Sequence, residues 1–315
     1  MVEYVKDFKW KEGMTTRDFV ELMGNVGYQS VELRRASDVL IKMKKEGAKI
    51  FLTFTSNMVT SGLRGFFAQV INYKMADVLV TTVGGIEEDI MKADGEKFSL
   101  GNFNSDDVEL HEQGINRIGN LFVNVESYMN FEDRMRPILD ELYAKKKRWA
   151  VSDMLREIGL MLNDEDSILY QSAKNNVPIF CPAITDGAFG FHLYLFQQDH
   201  RDFVVDVVQD FGNILFTTSH DEKKGVIALG GSISKHHAIL CTLLNGGAEF
   251  AVYVTTAHQT SGSVSGATTR EAKSWGKVKE ESDIATVNGD VTIMFPLMMI
   301  RALEELKKDG LIKDE

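Results

Sequence analysis

Cysteine and proline are scarce: two and four residues, respectively, in a chain of 315. Cys181 and Cys241 both lie inside apolar runs, and neither has a C-x-x-C neighbour or zinc spacing. That excludes a disulfide framework or a structural zinc site as the organising feature, and both read as reduced core thiols of a cytoplasmic protein. Long hydrophobic runs are missing as well. The opening M-V-E-Y-V-K-D-F-K-W-K has no apolar signal region and no run reaches the length of a membrane span, so neither secretion nor membrane insertion is expected. Basic residues are in deficit, with 35 Lys and Arg against 46 Asp and Glu and a net charge of -11. Such a field disfavours nucleic acid and favours cationic ligands, although solubility alone also selects acidic surfaces. Neither G-x-G-x-x-G nor G-x-x-x-x-G-K-[ST] occurs, and the seven histidines show no H-E-x-x-H spacing, so no metal is expected. Internal repeats, low-complexity segments and Pro- or Ser-rich linkers are also absent.

What is present is an alternation of short apolar runs with helical segments. Residues 1–48 read as an N-terminal helical arm: Thr15 or Thr16 caps a helix running to Met23, and a second amphipathic helix spans Tyr28 to Lys45. Residues 49–315 read as one catalytic domain. Its expected strands are Lys49–Thr55, Ala76–Thr82, Val177–Ile184, Gly225–Leu229, Glu249–Thr255 and Val291–Phe295, with helices including Phe131–Lys145, one beginning near Lys235 and one closing the chain over Phe295–Lys308. Near-continuous apolar strands separated by helices indicate an α/β fold with a Rossmann-like parallel sheet flanked by helices. Most of these runs exit into small polar loops such as T-S-N-M-V-T-S-G, T-V-G-G-I-E-E-D, T-D-G-A-F-G, G-G-S-I-S-K-H-H and T-A-H-Q-T-S-G-S. In an open parallel sheet the strand carboxyl ends are where ligands bind, and such loops let backbone amides approach phosphates.

One stretch carries reactive chemistry. Ser265 to Lys277, S-G-A-T-T-R-E-A-K-S-W-G-K, places an acid at Glu271, an aromatic face at Trp275 and a lysine after a glycine. Gly276 allows dihedrals that aim Lys277 away from an ordinary surface helix, and an aromatic ring beside an acid attracts an alkylammonium group. Taken singly, a lysine is ordinarily solvated and a tryptophan ordinarily packs a core. With His236 and His237 as proton shuttles, the set suggests amine chemistry through a lysine imine. Acids at Glu87–Asp89, Asp186 and Asp290 have two readings, as ribose ligands or as charges at helix N-termini.

The S-W-G-K segment resembles the active-site lysine motif of the deoxyhypusine synthase family. T-S-N-M-V-T-S-G, D-V-L-V-T-T-V-G-G-I-E-E-D, E-Q-G-I-N-R-I-G-N-L, P-A-I-T-D-G, K-H-H, A-V-Y-V-T-T-A and G-D-V-T-I-M-F-P resemble the family's segments in the family's order, over about residues 49–296. The resemblance implies an NAD-dependent transferase. It would split spermidine, carry the aminobutyl unit as an imine on Lys277, and pass it to a lysine of the initiation factor 5A protein. It further implies that Glu271, Trp275 and His236 handle the polyamine. Asn57, Thr60, Thr82, Gly84, Glu88, Asp186, Thr256, Ala257 and Asp290 would face NAD, and the active form would be a homotetramer with active sites shared between subunits. Phe191, Val264 and Leu240 stand where eukaryotic members carry polar or acidic residues, which makes aminobutyl transfer to a small amine such as putrescine or agmatine, the homospermidine synthase type of reaction, the alternative.

Overall fold

A computed structural model describes residues 4–313; residues 1–3 of the expected arm and 314–315 of the charged tail lie outside them. Thr15 closes a capping box with Asp18 and opens α1 (Thr16–Met23). Next comes α2 (Gln29–Lys45), whose last turn carries Lys42, Lys44 and Lys45 against the carbonyl end of the helix dipole. After β1 (Lys49–Phe54), a π-helical turn over Val59–Leu63 leads into α3 (Arg64–Asn72). There follow β2 (Val78–Val80), α4 (Val83–Ala93), β3 (Ser99–Leu100), α5 (Asp107–Glu112), β4 (Ile115–Ile118), β5 (Leu121–Asn124) and α6 (Val125–Lys145). The middle of the chain holds β6 (Arg148–Ala150), α7 (Val151–Leu162), α8 (Ile168–Lys174), β7 (Ile179–Phe180), α9 (Ala188–Asp199), β8 (Val204–Asp206) and α10 (Val207–Leu215). The last part is β9 (Lys224–Leu229), α11 (Ser232–Leu244), β10 (Ala248–Thr255), α12 (Thr269–Ser274), β11 (Val278–Asn288) and α13 (Val291–Lys308). Among the described residues no helix is long and apolar enough to cross a membrane.

The chain divides into two compact units. One comprises the chain up to Phe54, Tyr73–Val80 and everything from Ile214 on. Its strands lie in the order β11-β10-β9-β1-β2, all parallel, and β1 pairs with β9 from Lys49↔Lys224 to Phe54↔Leu229. β9 is buried along its whole length and β10 nearly so, which is why they read as continuous apolar runs rather than alternating ones. α11 lies against β1, β2 and β9, while α2 and α13 lie against each other and against β10, so the helical arm is packed onto the sheet. The parallel α/β sheet flanked by helices is the fold expected from the sequence.

The other unit comprises Thr55–Asn72 and Thr81–Asn213. Its helices α3, α4, α6, α7, α8 and α9 pack on one another, with an antiparallel β3-β5-β4 sheet and a parallel β6-β8 pair. An ion cluster ties it together. Arg64 Nε donates to Asp89 at 2.5 Å and its Nη2 to Asp164 at 2.6 Å, while the same Asp89 accepts from Ser167 Oγ and from the Ile168 and Leu169 amides that open α8. A buried carboxylate this fully bonded fixes three segments at once.

One expected strand is corrected, and one strand lies where none is expected. Val291–Phe295 is no strand but the first turn of α13, because the Asp290 side chain accepts from the Thr292 amide at 2.8 Å and caps a helix there. A five-residue apolar run has no periodicity to separate the two states, so the cap decides. The edge strand is instead β11, whose K-E-E-S-D half is largely exposed and therefore lacks the apolar signature of a central strand. Two further runs are shorter than expected: Ala76–Thr82 contributes only Val78–Val80 and Val177–Ile184 only Ile179–Phe180.

Candidate active site

The reactive stretch is built in the first unit. Thr268 caps α12 by accepting from the Glu271 amide at 3.2 Å, Trp275 ends the helix, and Gly276 at φ +69° turns the chain into β11. Only a residue free of the left-handed penalty suits that turn, as the sequence indicated. The Lys277 amide donates to Ala272 O at 3.1 Å and its carbonyl accepts from the Ala248 amide at 3.0 Å, so its backbone is pinned at the amino-terminal edge of β10. Its Nζ stands 4.9 Å from the centroid of the Trp275 ring, which is 64 % exposed. A cation held on an indole face is the geometry that also receives an alkylammonium ligand.

Beneath this segment lies a second lysine that sequence reasoning missed. Lys235 is fully buried, and its Nζ donates to the carbonyls of Val264 and Ala267, each at 2.8 Å, while standing 4.2 Å from the Tyr253 ring. Burial pushes its ammonium down to about 8, with Glu271 opposing and the Lys277 charge adding to the fall. Its signal in the sequence was the K of K-H-H, a charge at the start of an otherwise apolar helix. His236 is held below its ordinary range by burial and then by Lys277, and His237 is pushed down to about 4 by burial and then by His236. Both imidazoles are therefore neutral at neutral pH, and a neutral His236 in the field of Lys277 is competent to accept a proton.

Three strand ends of the same unit are joined by backbone hydrogen bonds. The Gly230 amide donates to Val254 O at 2.8 Å, and the Gly289 amide to Thr255 O at 3.1 Å. Thr256 and Ala257, which follow β10, are thus brought beside Asp290, which follows β11; Thr256 and Asp290 are exposed. The G-G-S turn is tight: Gly230 and Ser232 both have positive φ, the Ser232 amide donates to Ser265 Oγ at 3.0 Å, and a Cβ on Gly231 would fall 2.2 Å from that oxygen. The loop leading to the reactive stretch is therefore seated directly on the glycine turn. Val264 gives its carbonyl to Lys235, and Leu240 is half-buried on α11.

The remaining cofactor candidates fall in the second unit. Thr60 Oγ1 donates to the buried Glu88 carboxylate through a short hydrogen bond, and burial lifts Glu88 to about 7. Thr82 Oγ1 accepts from the Ser56 amide at 3.1 Å, and Asn57 accepts from Thr55 Oγ1. Gly84 lies in the first turn of α4, where a Cβ would come within 2.8 Å of Ser56, and no side chain caps that helix. An uncapped helix start with close backbone approach suits a phosphate. The neighbouring acids divide the work. Glu87 accepts from the Phe189 amide at 3.0 Å at the start of α9, Asp89 serves the ion cluster, and Glu88 is bonded to Thr60. Asp186 is exposed just before α9, and Phe191, on α9, is 56 % exposed.

The fold defines the class: an α/β protein with a Rossmann-like parallel sheet, carrying a lysine against an exposed indole at its candidate site. Comparison with known proteins makes it particular. A family model described as deoxyhypusine synthase matches residues 18–302. A probable deoxyhypusine synthase of Thermoplasma volcanium is 39% identical over 297 residues, covering 94% of this chain and 96% of that protein. One of Schizosaccharomyces pombe is 38% identical over 304 residues, covering 91% and 87%. A crystal structure assigned as a deoxyhypusine synthase from Entamoeba histolytica superposes with a TM-score of 0.69 at 30% identity, covering 95% of this chain and 97% of that one. The chain belongs to the deoxyhypusine synthase family, and it is a transferase.

Proposed function

We propose that this enzyme transfers the aminobutyl group of spermidine, by way of an imine on Lys277, to a lysine of the initiation factor 5A protein. The observation that carries the reading is Lys277 Nζ on the Trp275 face, with a neutral His236 in its field and the buried Lys235 holding the adjacent loop. In this reading Trp275 and Glu271 receive the ammonium end of the polyamine, the ring by its quadrupole and the carboxylate by charge. His236 accepts the proton that Lys277 must lose to attack, and returns it when the imine is passed on. NAD, when bound, supplies reversible hydride acceptance. The family resemblance gives its contacts to Asn57, Thr60, Thr82, Gly84, Glu88, Asp186, Thr256, Ala257 and Asp290, and the uncapped start of α4 suits its phosphates. The active form is read as a homotetramer that completes the site between subunits.

The test offers the enzyme NAD, labelled spermidine, the factor and free putrescine or agmatine together, with mass spectrometry of all products. Label on a lysine of the factor is expected, together with a borohydride-trapped adduct on Lys277 that Lys277→Ala abolishes. Apolar side chains at Val264, Leu240 and Phe191 favour a second reading, transfer to a small amine, and label in putrescine or agmatine with none in the factor would select it. An unlabelled factor and an unlabelled amine pool would refute both.

A further inference from the structure

A cavity of about 180 Å³ opens in the second unit where α6 and α9 run side by side, among residues the transfer reaction does not use. Its accessible apolar surface comes from Leu195 and Phe196 of α9, with Met135 and Leu139 of α6 buried behind them. Its rim is acidic, with Glu132 and Asp140 on one helix and Asp199 on the other. Among the described residues none of these three exposed carboxylates makes a hydrogen bond or ion pair, and the rim's single cation, Arg136, has no carboxylate partner either. The second observation is His192. It lines the cavity at 8 % exposure, its ring contacts are with Phe131 and Phe191, and it has no hydrogen-bond partner among the described residues. Its ring offers the cavity a nitrogen beside the Glu132 charge, with no hydrogen bond inside the described residues to compete for it. His200 differs: its Nδ1 is 3.1 Å from Phe196 O and its ring stacks on Phe196 at 4.1 Å, which stiffens the wall.

Charge and shape restrict the ligand. Three carboxylates against one guanidinium disfavour an anion. A metal is disfavoured too, since among the described residues no three acid, histidine or cysteine side chains converge closely enough to hold one. An apolar trough with carboxylates at both ends fits an alkyl chain carrying an ammonium at each end. We propose that the α6–α9 cavity is a binding site for a short alkyl diamine, its methylenes on Leu195 and Phe196, its ammonium groups at Glu132, Asp140 and Asp199, and His192 accepting from the nearer one. The cavity shares no lining residue with the lysine segment, and the proposal does not depend on the aminobutyl-transfer reading.

The test is methyl NMR of the full-length enzyme labelled at its methionine methyls, with Met135→Leu assigning the reporter signal and cadaverine as the probe. A saturable shift of the Met135 signal with a Kd of about 1 mM is expected. The Glu132→Gln/Asp199→Asn double variant, altered only at exposed acids, should bind about tenfold more weakly. Trp275→Ala should leave the Met135 titration unchanged, which separates this site from any amine held at Lys277. The proposal is overturned by an unmoved Met135 signal, by equal affinity in the double variant, by loss of the shift in Trp275→Ala, or by an equal response to uncharged pentanediol.

Discussion

Replacing Lys235 by Met tests the electrostatics beneath the reactive segment. At pH 7 two effects oppose each other. The variant leaves the carbonyls of Val264 and Ala267 without their donor, at about 1–3 kcal/mol for each buried group left unpaired. It also removes the cost of burying an ammonium, so the absolute stability change is a small difference between large numbers. The pH dependence isolates the second effect. In the unfolded chain the lysine titrates at its ordinary 10.5, and in the folded protein at about 8. Between those values the unfolded state keeps a proton that the folded state has lost, so stability rises with pH through Lys235. At about 1.4 kcal/mol per pH unit, the wild type should gain about 3 kcal/mol relative to Lys235→Met between pH 8 and pH 10.5. Urea denaturation of both proteins at fixed protein concentration measures the gap directly. A difference, wild-type stability minus variant stability, that stays flat or falls over that interval would refute the burial argument. The same variant frees the 264–267 loop, so borohydride capture on Lys277 should fall by about tenfold or more.

Glu88→Gln should act with the opposite sign. Because Glu88 is lifted from 4.5 to about 7, the folded state holds a proton that the unfolded state has lost across that interval, and wild-type stability falls there as pH rises. The variant should escape about 3 kcal/mol of that fall, and parallel urea midpoints for the two proteins from pH 4.5 to 7.5 would contradict it. Asp89→Asn uncouples Arg64 and weakens the α8 cap, so unfolding should become easier by about 3–5 kcal/mol, read as a lowered denaturant midpoint. Gly231→Ala drives a methyl into Ser265, for a cost of about 1–3 kcal/mol and a disproportionate loss of the Lys277 adduct. An unchanged adduct yield would show that the loop's seat on the glycine turn is dispensable.

The sequence by itself determined the fold class, because β9 and β10 are buried almost throughout and buried parallel strands must be written in apolar residues. It also singled out Lys277 as the candidate nucleophile, since an acid, an indole and a glycine-aimed lysine within thirteen residues are a local pattern and the family's segments recur in order around it. Thr15 as the cap of α1 and Gly276 as a left-handed turn were legible for the same reason: their causes lie within four residues. What depends on partners far along the chain was not. Lys235 reads as an ordinary helix lysine until Val264 and Ala267, about thirty residues on, present their carbonyls to it. Glu87, Glu88 and Asp89 are three adjacent acids on paper. Only tertiary structure gives one to the α9 amides, one to Thr60 and one to Arg64, because helical geometry points neighbouring side chains in different directions. Val291–Phe295 shows the same limit, since its five apolar residues suit strand or helix equally and the Asp290 cap makes it a helix. The α6–α9 cavity likewise exists only once two helices far apart in sequence lie side by side and leave His192 facing a space that neither helix fills.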